Sequence, residues 1–334
     1  MLTAIDGDPW GRDTSDAPSA VPATVRSSVP RLTLSLLTAL LLSGCSAVRF
    51  GYGNADSLAR WWIDSYIDLS AEQDALVRER LVRFHAWHRK TQLPDYVAML
   101  HQGQKFVSGQ PTATDAQALL DDMLKSGRTL AERATPDVAD FLATMTAEQI
   151  ERMAARFAEK NAEYAKDAQL AEGESGQRKA RYKRLLERVE YWFGDFNCEQ
   201  KAALRQLIDG QTAGSQFWYE ERLRRQREWL TLVRQVERER PSRARTIQRL
   251  RDYVARFDLP EDAARLAQAL ALRRASAELA VLIHGMTSSA QRSHALHKLG
   301  DLIHDFSDLS RDQPVAVLPP PGAGSRVPIQ ARIG

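Results

Sequence analysis

The chain has 334 residues, of which 27% are charged and 43% hydrophobic. This composition is typical of a globular protein and excludes a largely disordered chain. The 46 basic and 43 acidic side chains nearly balance, so charge alone gives no indication of nucleic-acid binding. Two cysteines exclude a disulfide-rich scaffold. The length allows one large hydrophobic core or two small ones.

Residues 32–45 form an apolar stretch that reads LTLSLLTALLLSGC. It is too short to cross a bilayer as a mature helix, which takes about 20 residues. Arg26 and Arg31 precede it and no charge interrupts it, which is the order of a secretory signal peptide. Residues 1–24 come before this basic region and are rich in Asp, Pro and Ala. We therefore expect translation to begin later, at the codon for Val25 or Val29.

The end of that stretch, LSGC at residues 42–45, resembles the lipobox of bacterial lipoproteins. The resemblance implies cleavage between Gly44 and Cys45 and acylation of Cys45, which anchors the chain to a membrane. The residue after the cysteine is Ser46 and not Asp. This position resembles the pattern of lipoproteins that are sent to the outer membrane of Gram-negative bacteria. The prediction is a leader at residues 1–44, a lipidated tether at residues 45–54 and a location on the periplasmic face of the outer membrane.

Export also argues against a nucleic-acid partner. If Cys45 carries lipid, Cys198 is left alone and cannot form an internal disulfide. We interpret Cys198 as buried and inert, and an intermolecular disulfide is the alternative.

From Asn54 onward the apolar residues recur at helical spacing and no alternating strand pattern occurs. The prediction is an all-α fold of about ten helices with short connections, in one bundle or two. Pro94 and Pro136 are each expected at the start of a short helix, since proline favours the first helical position. A polar, glycine-containing break at residues 171–177 would separate an N-terminal helical unit (55–170) from an Arg-rich one (178–308). The Pro/Gly-rich segment 309–334 is predicted to be a disordered tail.

Three segments share an apolar–cap–x–Glu–Gln pattern, at residues 69–73, 145–149 and 196–200. A polar cap followed three residues later by Gln is the ordinary signature of a helix start, and any helical protein reuses it. The alternative is that the segments resemble the LTxxQ motif of small helical periplasmic chaperones.

The most distinctive sequence segments are WWIDSYID at residues 61–68, WHRKTQLPDY at residues 87–96 and YWFG at residues 191–194. These segments resemble a family of uncharacterised proteobacterial lipoproteins. The resemblance implies an anchored helical periplasmic domain and brings no known activity. Large aromatic residues more often build core than binding sites. The alternative is that Trp61, Trp62, Tyr66 and Trp87 form an aromatic partner-binding patch next to the tether, suited to an apolar chain, a peptide or the membrane interface.

Between Arg222 and Arg251 the chain has eleven Arg and only three Glu. Arginine forks suit phosphate and carboxylate groups. We predict that Arg222, Arg224, Arg225 and Arg227 bind an envelope protein, an anionic lipid headgroup or peptidoglycan. An ordinary solvated face is the alternative.

No catalytic motif is recognisable, and no cofactor is expected. A histidine pair, His294 and His297, extends through Asp301, His304 and Asp305 along one sector of a helix. Because an apolar stripe lies opposite, we interpret this sector as a solvated face and predict no metal site. The predicted function is a structural or interaction module of the cell envelope. Chaperone-like binding of exported polypeptides is the first alternative, and a cell-wall-active enzyme relying on a single glutamate is the second.

Overall fold

A computed structural model describes residues 47–210, 214–257 and 260–311, and within these ranges the chain is helical and contains no strand. The all-α prediction is confirmed. The predicted leader, the cleavage site at Gly44, the acylated Cys45 and residues 312–334 of the predicted tail lie outside the described residues. The helices are α1 (Ala47–Gly53), α2 (Ala55–Ile67), α3 (Ala71–Ser108), α4 (Ala113–Leu142), α5 (Ala147–Asp167), α6 (Gly173–Phe193), α7 (Cys198–Asp209), α8 (Ser215–Glu239), α9 (Arg243–Arg256), α10 (Ala263–Met286) and α11 (Ser289–Arg311), with a 3-10 turn at Leu170–Glu172.

The predicted capping boxes set several helix starts. Ser70, Thr146 and Asn197 each accept a hydrogen bond from the backbone of a glutamine three residues later, and that glutamine accepts one from the cap residue's own N–H. Two of the four N–H groups that a helix leaves unpaired at its start are satisfied in this way. Helices α3, α5 and α7 therefore begin where the sequence predicts.

The two helix starts predicted at Pro94 and Pro136 are wrong, because both prolines lie inside long helices, α3 and α4. An internal proline costs a backbone hydrogen bond. Burial on either side outweighs that cost: Leu93 is 1% exposed, and Ala139 is 2% exposed. Tertiary packing here overrides a local preference.

The break predicted at residues 171–177 is also misplaced. The chain turns earlier, at Gln169 with φ of 51°, and α6 already begins at Gly173. Gly176 packs so closely against Glu172 that a Cβ on it would collide with the Glu172 side chain. This glycine permits a close contact inside the helix and does not interrupt the chain. Helix α11 likewise runs to Arg311, slightly into the predicted tail.

Helix α3, about 57 Å long at 1.5 Å per residue, runs through the fold. It packs against α2 and α4 and most extensively along α11, while α9 and α10 pack on α4. One core cluster joins α2, α4, α5, α8 and α9 around Leu142, Met145, Ile150 and Val233. Another joins α6, α7 and α10 around Leu204. Contacts thus cross the boundary predicted between residues 55–170 and 178–308, and that division stays a prediction.

Candidate functional site

The first described helix, α1, is fixed to the body of the protein. Arg49 on α1 pairs with two carboxylates of α11, with 2.7 Å between its Nε and Oδ1 of Asp305 and a second bond to Asp308. The hydrogen bond from Arg49 holds the pKa of Asp308 below its ordinary value. The predicted free tether at residues 45–54 is therefore corrected: from Ala47 it is a helix docked on α11 and α2.

A second contact joins α1 to α3 through an aromatic cluster. The hydroxyl of Tyr52 lies 2.8 Å from Nδ1 of His88, and the Tyr52 ring is 4.6 Å from the ring of His85. Burial raises the pKa of Tyr52 to about 12 and lowers the pKa of both His85 and His88. The Arg89 guanidinium lies 5.5 Å from the centroid of the Tyr52 ring. The cluster therefore holds α1 by packing, a hydrogen bond and a cation–π contact.

One face of α1 and α2 remains open and carries large apolar side chains. Phe50 is 72% exposed, Trp61 58%, Trp62 56% and Leu58 44%. Together with the small exposed residues between them these side chains define the N-terminal aromatic stripe, which consists of Phe50, Gly53, Asn54, Ser57, Leu58, Trp61, Trp62 and Ser65. The opposite side of α2 is buried in the first core cluster through Ile63 and Ile67. Helix α2 thus has one apolar face in the core and another in contact with solvent.

The structure brings together only part of the predicted aromatic patch. The Tyr66 ring is half-buried. Its centroid lies 4.9 Å from that of the Trp62 ring and 5.7 Å from that of the Phe157 ring. Trp87 lies half-buried on α3 beside Phe84, with the Arg133 guanidinium 5.6 Å from its ring. Tyr66 and Trp87 thus have packing roles. Phe50 and Leu58 complete the exposed stripe, and the sequence analysis missed both of them. Their helical spacing from Trp61 and Trp62 was the available signal.

Asp64 and Asp68 belong to the WWIDSYID segment, and their carboxylates form contacts at the end of α2. Oδ1 of Asp64 accepts a hydrogen bond from the Leu69 backbone N–H at 2.9 Å. Asp68 takes a left-handed conformation with φ of 62° and pairs with Arg152 at 2.9 Å. Both carboxylates stabilise the corner between α2 and α3.

The Arg-rich stretch is largely engaged inside the protein. Arg222 donates to Asn161 at 2.7 Å, and Arg224 pairs with Glu221 and Glu228, each at 2.8 Å. Arg225 is only 7% exposed, with its guanidinium 4.8 Å from the Phe257 ring. Of the four arginines predicted to bind a partner, Arg227 alone is exposed. Partner binding by this set stays a prediction, and its accessible part is small.

Glu221 is the buried centre of this network, with none of its surface exposed. One carboxylate oxygen accepts from Nε of Arg265 and the other from Nε of Arg224, both at 2.8 Å. Burial acts to raise the pKa of Glu221, but the hydrogen bonds from Arg265 and Arg224 more than offset it, so the pKa lies below its ordinary value. The carboxylate stays charged and ties α8 to α10.

The glutamines of the repeated segments pair with each other across the fold. The side-chain amides of Gln73 and Gln149 donate to each other, at 3.0 and 2.6 Å. Each glutamine also donates to a backbone carbonyl that lies two residues before the cap of the other helix. Gln73 donates to the Thr144 carbonyl at 3.0 Å, and Gln149 donates to the Asp68 carbonyl at 3.1 Å. We call this reciprocal arrangement a glutamine clasp. It joins the starts of α3 and α5.

A second glutamine clasp joins the starts of α7 and α11. Gln200 and Gln291 exchange amide hydrogen bonds at 2.8 and 3.2 Å. Gln200 also donates to the Met286 carbonyl and Gln291 to the Asp195 carbonyl, at 2.7 and 2.8 Å. Gln291 belongs to a fourth capping box that is closed by a glutamine, with Ser288 as its cap, and it was not predicted from the sequence.

The predicted polar sector of α11 is solvated only in part. His297 and His304 are exposed and lie 3.7 Å from Asp301 and 3.4 Å from Asp308. Asp305 is 5% exposed and bonds to Arg49, so its assignment to a solvated face is wrong. Across residues 47–210, 214–257 and 260–311, no three His, Cys, Asp or Glu side chains are grouped so that they could hold a metal ion.

The reading of Cys198 as buried is wrong. Its thiol is exposed, because the residue occupies the first position of α7, directly after the cap Asn197. The side chains that close this corner are instead Phe196, which is 4% exposed, and the clasp residue Gln200.

The family of the chain follows from its match to a family of unknown function, DUF6279, over residues 65–256. The match covers more than half of the chain. The chain belongs to the DUF6279 family. No curated protein and no solved structure is detectably similar to it.

Within this DUF6279 chain the matched region begins inside α2 and ends with α9. It contains the first glutamine clasp and the Arg-rich stretch. The family match stops short of the second clasp's Gln291 and of Phe50, Leu58, Trp61 and Trp62. The family resemblance inferred from the sequence is thus confirmed in its coarse form, as a family without an assigned activity.

Two half-open cavities lie on the described surface of the DUF6279 chain. The first, about 380 Å³, lies between α4, α8 and α9, around Ala139, Val236, Arg240 and Pro241. The second, about 280 Å³, lies between α3 and α4 near Phe106 and Leu119. Neither of these two cavities is enclosed. A search of the described helices for one with the length and apolar character of a membrane span found none.

Proposed function

We propose that this protein is a lipoprotein anchored through Cys45 to the periplasmic face of the outer membrane, where it acts as a structural or interaction module of the cell envelope. The observation that carries the proposal is the ordered text of residues 26–45: two arginines, an uninterrupted apolar run and LSGC. The docking of α1 supports it. Because Arg49 fixes α1 to α11, the first described residue, Ala47, belongs to a helix docked on the body, two residues after Cys45.

The choice of an interaction module rests on the character of the surface. The two cavities of the described part are open to solvent. Several arginines pair with acidic side chains, as Arg243 does with Asp140 and Arg249 with Glu239. Arg227, Arg238 and Arg245 remain exposed on α8 and α9. Arginine forks of this kind suit carboxylates and phosphates, which an acidic envelope protein, an anionic lipid headgroup or peptidoglycan would supply. Salt should weaken such contacts, since exposed charges are screened.

Replacement of Cys45 by alanine tests the anchor. We expect Cys45→Ala to abolish incorporation of a labelled fatty acid and to move the protein out of the outer-membrane fraction, because a chain without acyl groups has lost its stable membrane anchor. Cys198→Ala is the matched control, since it removes the other cysteine, which is exposed, and should leave labelling and fractionation unchanged. Equal labelling of the wild-type and Cys45→Ala proteins would contradict the proposal.

A chaperone-like role is the second candidate, and the glutamine clasps favour it. Four cap–x–x–Gln segments, paired through Gln73 with Gln149 and Gln200 with Gln291, deepen the resemblance to LTxxQ-motif periplasmic chaperones. On this reading the purified protein would delay the aggregation of several unrelated unfolded exported proteins, as measured by light scattering. An unchanged aggregation rate for every client, at equimolar protein, would remove this candidate.

A further inference from the structure

The N-terminal aromatic stripe carries no charge. Among residues 48–65 the exposed side chains belong to the eight members of the stripe, and all eight are uncharged. This is unusual for a chain in which 27% of the residues are charged. Four of the eight are large and apolar, and they are 44% to 72% exposed. An exposed apolar surface of this kind marks a contact with another apolar phase or molecule.

The charged residues of the same span are turned away from the stripe and have partners. Arg49 pairs with Asp305 and Asp308 of α11. Arg60 pairs with Asp74 of α3. The remaining two carboxylates accept hydrogen bonds from backbone N–H groups, Asp56 from Ser57 and Asp64 from Leu69. The absence of charge from the stripe is therefore a property of the folded arrangement, since the sequence of the span contains four charged residues.

Most of the stripe lies on one side of α2. Ser57, Leu58, Trp61, Trp62 and Ser65 follow one another at intervals of three or four residues, or are adjacent, and such positions share one side of a helix. The nine residues from 57 to 65 extend about 14 Å at 1.5 Å per residue. Phe50 adds a further exposed ring from α1, which Asn54 separates from α2. A convex row of side chains of this kind suits an extended apolar partner more than a small molecule.

We infer that the N-terminal aromatic stripe lies in the headgroup–acyl boundary of the phospholipid bilayer to which the chain is anchored. The inference rests on the proposed function and deepens it by naming the surface that faces the membrane. If Cys45 is acylated, four residues separate it from Phe50, and the two residues from Cys45 to Ala47 reach at most about 7 Å. Since Arg49 and Tyr52 fix α1 to the body, the stripe has to stay near the bilayer.

The chemistry of the stripe favours lipid over a protein partner. Tryptophan is enriched at membrane–water interfaces, where its ring meets acyl chains and its N–H meets water. Ser57, Asn54 and Ser65 supply small polar groups between the large rings. At the edge toward α3, Arg60 and Arg78 both pair with Asp74. Guanidinium groups at such an edge can also contact lipid phosphate groups.

The test uses quenching of tryptophan fluorescence by brominated phospholipid. The acylated full-length protein is reconstituted in vesicles of phosphatidylethanolamine and phosphatidylglycerol, with and without brominated lipid. We expect quenching of the wild type, and a drop in quenching of roughly threefold or more in Trp61→Phe/Trp62→Phe, since these residues would sit at the interface. Trp218→Phe, which alters a half-buried tryptophan of α8, is the matched control and should retain the quenching.

A second measurement separates the stripe from the acyl anchor. A Cys45→Ala chain that starts at residue 45 lacks both the acyl groups and the apolar run of the predicted leader. It should still bind the same vesicles reversibly, and Trp61→Ser/Trp62→Ser should weaken that binding by roughly tenfold or more, because two large apolar surfaces are lost. Leu270→Ser/Leu282→Ser changes two comparably exposed apolar residues on α10 and should have little effect. All these residues are exposed, and circular dichroism checks that the variants remain folded.

The outcomes distinguish the two proposals. Quenching that depends on Trp61 and Trp62 supports the inference, even if Cys45 proves not to be acylated and the proposed anchor fails. Absence of quenching in a demonstrably acylated protein overturns the inference and leaves the anchor intact. A photo-crosslinker at Trp62 that captures a single protein and no lipid in cells also overturns it, and assigns the stripe to a protein partner.

Discussion

Replacement of Glu221 by alanine should lower the free energy of unfolding by about 3 kcal/mol. Glu221 has no exposed surface and accepts hydrogen bonds from Arg224 and Arg265. Removing the carboxylate leaves two partly buried guanidinium groups facing each other without the negative charge between them. Breaking one member of a buried ionic network is costly for this reason. Chemical denaturation followed by circular dichroism measures the change.

The neighbouring Glu220 is the matched control, since it pairs with the same Arg265 at 3.2 Å but is on the surface. Glu220→Ala should cost less than about 1 kcal/mol, because exposed ion pairs contribute little. Equal effects of the two substitutions would contradict the burial argument. A third variant, Glu221→Gln, keeps the shape of the side chain and removes its charge. It should fall between wild type and Glu221→Ala.

Acid should reduce the contribution of Glu221 to the free energy of unfolding. Because the pKa of folded Glu221 lies below its ordinary value, the unfolded chain binds the proton more tightly. The contribution of Glu221 is therefore fully present above the ordinary glutamate pKa of about 4.3 and is lost as the pH falls through the lower folded-state value. We expect the difference in stability between wild type and Glu221→Gln to shrink below about pH 4. A difference that stays constant well below pH 4 would exclude this linkage.

The network also indicates why the arginines could not be assigned from sequence. Their number predicts a positive surface, but the partners of Arg243 and Arg265 are Asp140 and Glu221, which lie 103 and 44 residues away. Whether a charge faces solvent or another charge depends on these tertiary contacts. The helices were more accessible to prediction, since caps such as Ser70 and Thr146 act within four residues.

The N-terminal aromatic stripe and the glutamine clasps were also predicted only in part, because they too depend on tertiary contacts. Trp61 and Trp62 stand out by their size, but their exposure follows from the burial of Ile63 and Ile67 on the other side of α2. Three of the four clasp glutamines follow an apolar–cap–x–Glu pattern. The segment of Gln291 does not match this pattern, because Thr287 stands in place of the apolar residue and Ala290 in place of the glutamate. Which glutamine meets which is a property of the fold.

Loss of one glutamine clasp should be nearly as costly as loss of Glu221. Gln73 is 5% exposed and makes three kinds of contact: it accepts from its own cap Ser70, donates to the Thr144 carbonyl and pairs with Gln149. Gln73→Ala removes these three hydrogen bonds, each of which contributes about 0.5–1.5 kcal/mol. We expect a loss of about 2–3 kcal/mol in the free energy of unfolding. Gln117→Ala removes a glutamine bonded only to Asp121 on the surface and should cost under about 0.5 kcal/mol.

Two further variants separate the clasp from ordinary helix capping. Gln73→Glu can still accept the hydrogen bond from the Ser70 N–H, as glutamate does in a capping box, but it cannot donate to Thr144. It should therefore remain destabilising. In a double-mutant cycle, Gln73→Ala and Gln149→Ala should cost less together than the sum of their separate effects, by about 1 kcal/mol, because either substitution already breaks the shared pair. Strictly additive effects would mean that the two glutamines act only as independent caps, and that the starts of α3 and α5 are joined by packing around Met145 and Ile150 alone.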